Sequence, residues 1–428
     1  MLARLLINRQ FARIWLSTAV SRVGDLVFDT TVVLWIAIVL ARGQPWAPAA
    51  VSGVLIAVIV PTVVVGPLAG VFVDRWDPRR TMLWSDAIRA VLVGGLTVLP
   101  LLPPGTLLPI VQLGAVYAVV VLATVVSRFA IPARFTIIAD VVPEPDRPRA
   151  SGIVQGTGAA AGIIGPPLAA PLLFTAGVEW ALAVDALSFV LSFFVIWNVR
   201  VPATAAPRPV EGAGGFWRQF HVGLTAILRS QVVLSMVIMG VICNLAAQVF
   251  NALGVFFVIA NLHTEARFFG LLDTMLGIGV LIGAAITGWL GPRLGLGRTI
   301  WVGMLLFGVL LGAYARTSNF VVALGVLLLV AIPLGAINTA VGPLVMRTVP
   351  REVLGRVIAA FDPAIQVLGI AGVAVAGWLS STLLRGLDTN VLGVHFGTYD
   401  TIFLVGSAIV VVSGAYGAFA LRGVDLAS

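Results

Sequence analysis

The sequence predicts an all-α polytopic membrane protein: twelve transmembrane helices in two six-helix, pseudo-symmetric bundles. Three observations point there. Of 428 residues, 60% are apolar and only 10% are charged, against about 25% charged in ordinary soluble domains. The apolar residues form long unbroken runs such as Val51–Gly70, which have the length of a membrane helix and lack the short alternating pattern of a transmembrane barrel. The basic residues, finally, concentrate in every second loop. A soluble enzyme and a disordered chain are both excluded, because mean hydropathy is +1.08 and neither class tolerates so much apolar surface.

Taken in order, the apolar segments lie at about 14–40, 49–73, 80–102, 107–129, 151–175, 178–199, 230–260, 268–291, 297–315, 319–346, 354–383 and 399–421, with ends set by turn-forming and charged residues. The longest polar interruption falls between the sixth and seventh. It is rich in Pro, Gly and Ala, as a linker is. The domains read from this are a first bundle over 1–200, a central linker over 201–229 and a second bundle over 230–428.

The sequence has no lysine, so all 26 basic residues are arginine. Twenty fall at the N-terminus, in alternating loops, in the linker and at the C-terminus; four (Arg42, Arg267, Arg316 and Arg385) fall in the other loops, and Arg22 and Arg89 lie inside spans. Positive short loops stay on the cytoplasmic side. Both termini and the linker are therefore expected there, in a multi-pass protein of the bacterial cytoplasmic (inner) membrane. The halves also repeat. Val142-Pro143, Arg149, Gly162 and Gly165 match Val349-Pro350, Arg356, Gly369 and Gly372 at a constant offset of 207. A parallel repeat of this kind puts a cavity on the pseudo-two-fold axis at mid-membrane.

Several chemistries are excluded. A phosphate-binding loop ending in Lys-Ser or Lys-Thr is impossible without lysine. The one cysteine, Cys243, allows no intrachain disulfide, and His221, His263 and His395 are scattered without metal-ligand spacing. No cofactor, metal or catalytic triad is expected, and no nucleic-acid partner, because the arginines follow topology and form no basic patch. A monomer that handles a small amphipathic molecule, protons and membrane lipids fits better.

Charges inside spans carry the functional expectation, since each costs a few kcal/mol unless it faces a polar cavity or a partner. Arg22, Asp25 and Asp29 share a face of the first span. Asp25 is the expected partner of Arg22, and Asp29 the freer acid and proton carrier. Asp86 and Arg89, three residues apart, are expected to form a structural charge pair. Asp185 and Asp273 are read as lying near span ends, within reach of water, and Asp362, next to Pro363, as a cavity residue. Six acids against two arginines make the cavity net negative, suited to cations. Trp15, Phe28, Trp35, Met239 and Phe361 offer it apolar contacts, or simply pack.

The string GVFVDRWDPRR at 70–80 resembles the loop motif of the major facilitator superfamily. NRQFARIWLSTAVSRVGD (8–25), RFAIPARFTIIADVVP (128–143), DALSFVLSF (185–193) and RTVPREVLGRV (347–357) resemble its drug and siderophore efflux branch, which includes macrolide and enterobactin exporters. The resemblance covers most of the chain. It implies a cytoplasmic gating motif at Gly70, Asp74, Arg75, Arg79 and Arg80, with Asp74 facing a helix N-terminus and the arginines pairing with acids or lipid phosphates. It also implies a related loop motif at Pro350, Glu352 and Arg356. Gly165-Pro166 match the antiporter motif of span five, while Ala161, Ala169 and Ala170 replace its flanking glycines. The implied activity is proton-coupled export of amphipathic compounds by alternating access. A lipid flippase of the same fold and a non-transporting receptor or scaffold stand as alternatives.

Overall fold

A computed structural model describes residues 7–73, 76–103, 105–200, 224–225, 227–349, 351–391 and 394–421. Side chains at 67, 70–71, 148, 289–293, 351–356, 358–364 and 391–395 also fall outside the description. Almost all of the expected linker, and Asp74, Arg75 and Pro350, therefore lie outside the described residues, as do the side chains of Glu352, Arg356, Phe361 and Asp362.

Twelve long helices follow the apolar segments: α1 (Arg9–Trp35), α2 (Ala47–Val73), α3 (Pro78–Leu96), α4 (Pro109–Val141), α5 (Arg147–Pro171), α6 (Val178–Trp197), α7 (Gln231–Ala260), α8 (Phe269–Leu294), α9 (Leu296–Ala315), α10 (Phe320–Thr348), α11 (Arg351–Ser381) and α12 (Thr398–Ala420). Eleven are long and apolar enough, over described residues alone, to cross a membrane; in α11 the apolar stretch counted is Ile365–Ser381. Trp84, Val91, Phe194, Val321 and Phe419 stand exposed on helix faces, an arrangement suited to lipid and hostile to water.

Helix α4 runs a dozen residues past its apolar segment, through Pro132 and Arg134, because a helix does not end where hydropathy does. One element departs from the all-helical expectation. Strands β1 (Asp388–Val391) and β2 (Val394–Gly397) pair antiparallel between α11 and α12. Their Val, Thr and Phe residues suit a hairpin, which a hydropathy scan reads as loop.

Contacts divide the chain into two units, Met1–Arg42 with Ala57–Ala213, and Gly43–Ile56 with Gly214–Ser428. The first turns of α2 thus cluster with the second unit, where the Ala49 N–H donates to Ser381 Oγ at 3.2 Å. In the first unit α1 packs on α5 and α6, and α3 on α4 and α6; in the second, α7 packs on α11 and α12, and α9 on α10 and α12. Each of these four pairings recurs six helices later, so the internal repeat seen in sequence is to that extent a repeat of packing.

One end of the first unit is tied by polar contacts to helix termini. Asp77 caps α3, accepting from the Arg80 N–H at 2.8 Å. Among the described residues Arg79 meets no acid: its guanidinium donates to the carbonyls of Ile196 and Trp197 at the C-terminus of α6, where the helix dipole favours a cation. Arg13 donates to the Asn198 carbonyl at 2.6 Å. Phe11, Ile14, Met82, Ile137 and Ile196 pack beneath this layer. In the second unit, the Asp400 carboxylate at the start of α12 is buried and paired with Arg316 at 2.9 Å.

Candidate functional site

The charged residues of α1, α3 and α6 converge inside the first unit. Arg89 is 5% exposed, and its two terminal nitrogens serve different helices. One reaches Asp86 at 3.0 Å; the other reaches Asp25 on α1 at 3.5 Å. The guanidinium also lies over the Phe189 ring of α6 at 4.0 Å, a favourable cation–π contact. Asp86 accepts a further bond from Ser192 Oγ at 2.5 Å, and Ser192 in turn meets Ser17 at 2.9 Å. A buried cation thus holds two carboxylates, and a hydroxyl chain closes the ring through α6 and α1.

Asp86 and Arg89 do touch as a pair, but they are not separate from the first-span acids, because Asp25 shares the same arginine. The other expected contact of Asp25, with Arg22, is longer at 3.9 Å, and Arg22 is 56% exposed. Asp29 lies one turn further along α1, is exposed, and makes no ion pair among the described residues. Arg134 of α4 is half-buried within electrostatic range of Asp86 and Asp25, and among the described residues its buried Nε has no hydrogen-bond partner.

Asp185 corrects the sequence reading. It is 1% exposed, although a place near a span end suggested water. Its carboxylate packs against α1 at Gly24, where an added Cβ would stand 2.6 Å from Asp185 Oδ1 and 2.3 Å from Ser188 Oγ. The signal was present in DALSFVLSF: Asp185, Ser188 and Ser192 recur at helical spacing on one face of an otherwise apolar helix. Asp273 is half-buried near the start of α8, within electrostatic range of Tyr314, whose buried hydroxyl lacks a partner among the described residues.

The remaining candidates pack. At Gly165 of the span-five motif an added Cβ would stand 2.6 Å from the Leu26 side chain, and Ala161, Ala169 and Ala170 are buried, so small residues set a close α1–α5 seam. Pro166 lies inside α5. Phe28, Trp35 and Met239 are buried, and the Trp15 indole donates to Thr157 at 2.7 Å.

A family model described as Major Facilitator Superfamily matches residues 14–373. The chain belongs to the Major Facilitator Superfamily. It is 23% identical over 367 residues to an uncharacterized MFS-type transporter, YkuC, of Bacillus subtilis, covering 83% of this chain and 82% of the relative. It is 22% identical to macrolide efflux protein A of Streptococcus pyogenes, over 66% and 67% of the two chains. With a putative bacilysin exporter, BacE, of Bacillus subtilis it shares 24% identity over 78% and 81%. The nucleoside transporter NupG superposes with a TM-score of 0.71 at 13% identity, covering 96% of this chain and 98% of that one. An inward-facing bacterial homologue of the iron transporter ferroportin gives 0.72 at 16%, over 96% and 98%. These structures share the fold. The protein is thus a multi-pass membrane transporter of the superfamily and not an enzyme.

Proposed function

We infer that this superfamily member exports amphipathic, cationic or neutral small molecules across the bacterial cytoplasmic membrane by proton-coupled alternating access. The observation that carries the reading is the gathering of four carboxyl groups on α1, α3 and α6, two of which, Asp29 and Asp185, join no ion pair among the described residues. Asp25, Asp29, Asp86 and Asp185 face Arg22 and Arg89, and Arg89 is already divided between two carboxylates. Unpaired acids in such a site can exchange a proton for a cation. The relatives named for macrolide efflux and bacilysin export support the outward direction.

Asp29 is the open acid of the site and Asp25 the tethered one, with Asp362 of α11 a further cavity acid. Gly70, Asp74, Arg75, Arg79 and Arg80 gate the cytoplasmic side, and Pro350, Glu352 and Arg356 repeat that role in the second half. In proteoliposomes, the parent is expected to concentrate ethidium or a macrolide against its gradient when a pH gradient is imposed. Asp29→Asn is expected to lose that accumulation yet keep exchange at equal pH, which needs no net proton movement. Accumulation by Asp29→Asn equal to the parent would rule Asp29 out as a coupling acid.

The orientation follows the arginine bias, with both termini and 201–229 cytoplasmic and 386–398 outside. In a Cys243→Ala background, single cysteines placed in 203–229 should resist an impermeant maleimide added to intact cells, while those in 386–398 react. Labelling of the linker from outside would invert this topology.

A further inference from the structure

We propose that Asp185 of α6 is a proton-binding acid of the transport cycle, and that its proton locks the seam between α1 and α6 at Gly24. This rests on the proton-coupled reading above and adds to it an acid and a moving part.

Asp185 is almost fully buried, and among the described residues no cation lies within ion-pair distance of it. Its recorded hydrogen bond is from Ser188 Oγ, at 3.2 Å to Oδ1. An ionised carboxylate in that setting would be poorly compensated, and a bound proton removes the cost. The groups that face it are few. From α1 come the carboxyl groups of Asp25 and Asp29, with Arg22 beyond them; from α3 come Arg89 and Asp86. The short turns at Leu99–Leu101 and Leu172–Ala176 that also touch α6 carry no charge. Arg89 is the nearest base, and it is committed to Asp86 and Asp25. Adding a charge at Asp185 therefore sets it beside two further carboxyl groups across the seam.

The seam makes that charge consequential. Gly24 has no Cβ to hold α1 away, so the Asp185 carboxyl and the Ser188 hydroxyl fill the place a Cβ would occupy. A proton on Asp185 lets the two helices close. Its loss repels Asp185 from Asp25 and Asp29 and drives it toward water, which requires α1 and α6 to part. Helix α6 also carries Phe189 beneath Arg89 and Ser192 on Asp86, so movement of α6 disturbs every contact of the arginine. Protonation, seam closure and the Arg89 network are then one event. Asp29, exposed on α1, lacks this mechanical link.

The test uses the full chain in liposomes. Infrared difference spectra between acid and alkaline buffers report protonated carboxyl groups directly, with no substrate needed. The parent should show a protonated-carboxyl band that Asp185→Asn removes and Asp185→Glu restores. In transport, one proton exchanged per ethidium supports about tenfold accumulation per unit of pH gradient; Asp185→Asn should reduce this to about onefold while ethidium still binds. If Asp185→Asn does not survive reconstitution, Ser188→Ala, which removes the hydrogen-bond donor, must shift the band. A band unchanged in Asp185→Asn, or unshifted in Ser188→Ala, overturns the proposal. A parent without pH-driven accumulation would defeat the coupling reading instead, and the band alone would still decide whether Asp185 binds a proton.

Discussion

Arg89→Met is expected to cost about 3–5 kcal/mol of stability, the usual range when one partner of a buried ion pair is removed. The loss comes from what stays behind. Asp86 is 3% exposed and Asp25 only partly open, and each takes its shortest ionic contact from Arg89. Ser192 would be left as the described donor to Asp86, and one hydroxyl does not balance a buried carboxylate. Met fills much of the space over Phe189, so the effect reports charge more than volume. Arg89→Lys should recover only part of the loss. An ammonium is a point charge and cannot fork to two carboxylates while lying flat on a ring. Combining Arg89→Met with Asp86→Asn should restore a good share, since it removes the stranded charge as well. Thermal and denaturant unfolding of the purified protein in one detergent would read all three. A parent-like midpoint for Arg89→Met would mean that the arginine does not hold α1, α3 and α6 together.

The architecture was legible because it is written in properties a single sequence carries. Apolar length marks a span, so twelve helices followed from counting. The grouping of Arg22, Asp25 and Asp29 followed from helical spacing alone. What spacing does not carry is which helix lies against which. Asp86 and Arg89 were legible as a pair on α3, but the reach of Arg89 to Asp25 depends on α1 lying beside α3 and α6. Asp185 was misplaced for the same reason: its depth was judged from the ends of its own helix, while its burial comes from Gly24 on another. Likewise the arginines of GVFVDRWDPRR were expected to meet acids or phosphates, and Arg79 instead meets helix-end carbonyls, which no motif spells out. Hydropathy also missed the hairpin at 388–397, whose alternation is too short to register against the helices beside it.

A legible signal that the sequence reading passed over was Gly279-xxx-Gly283 on α8, a small-residue spacing that lets membrane helices approach closely. Here it meets α10. A Cβ on Gly283 would stand 1.9 Å from the Ile332 carbonyl oxygen; one on Gly335 of α10 would stand 2.1 Å from that of Val280, and one on Gly279 would stand 2.5 Å from that of Leu328. These neighbours are backbone, which cannot rotate aside as a long side chain can, so any added carbon must push the helices apart. Overpacking ordinarily costs about 1–3 kcal/mol. Gly283→Ala is expected at or beyond the top of that range, and Gly283→Leu should fail to give folded protein. Gly325, on the same α10 helix, is the control, because nothing lies within 4 Å of its added Cβ. There Ala has only its better helix propensity to contribute, about 0.5–1 kcal/mol in favour. The same substitution at two glycines should therefore change sign with contact alone. Unfolding midpoints of Gly283→Ala and Gly325→Ala against the parent would show it. Two equal, small shifts would mean that α8 and α10 do not meet backbone to backbone.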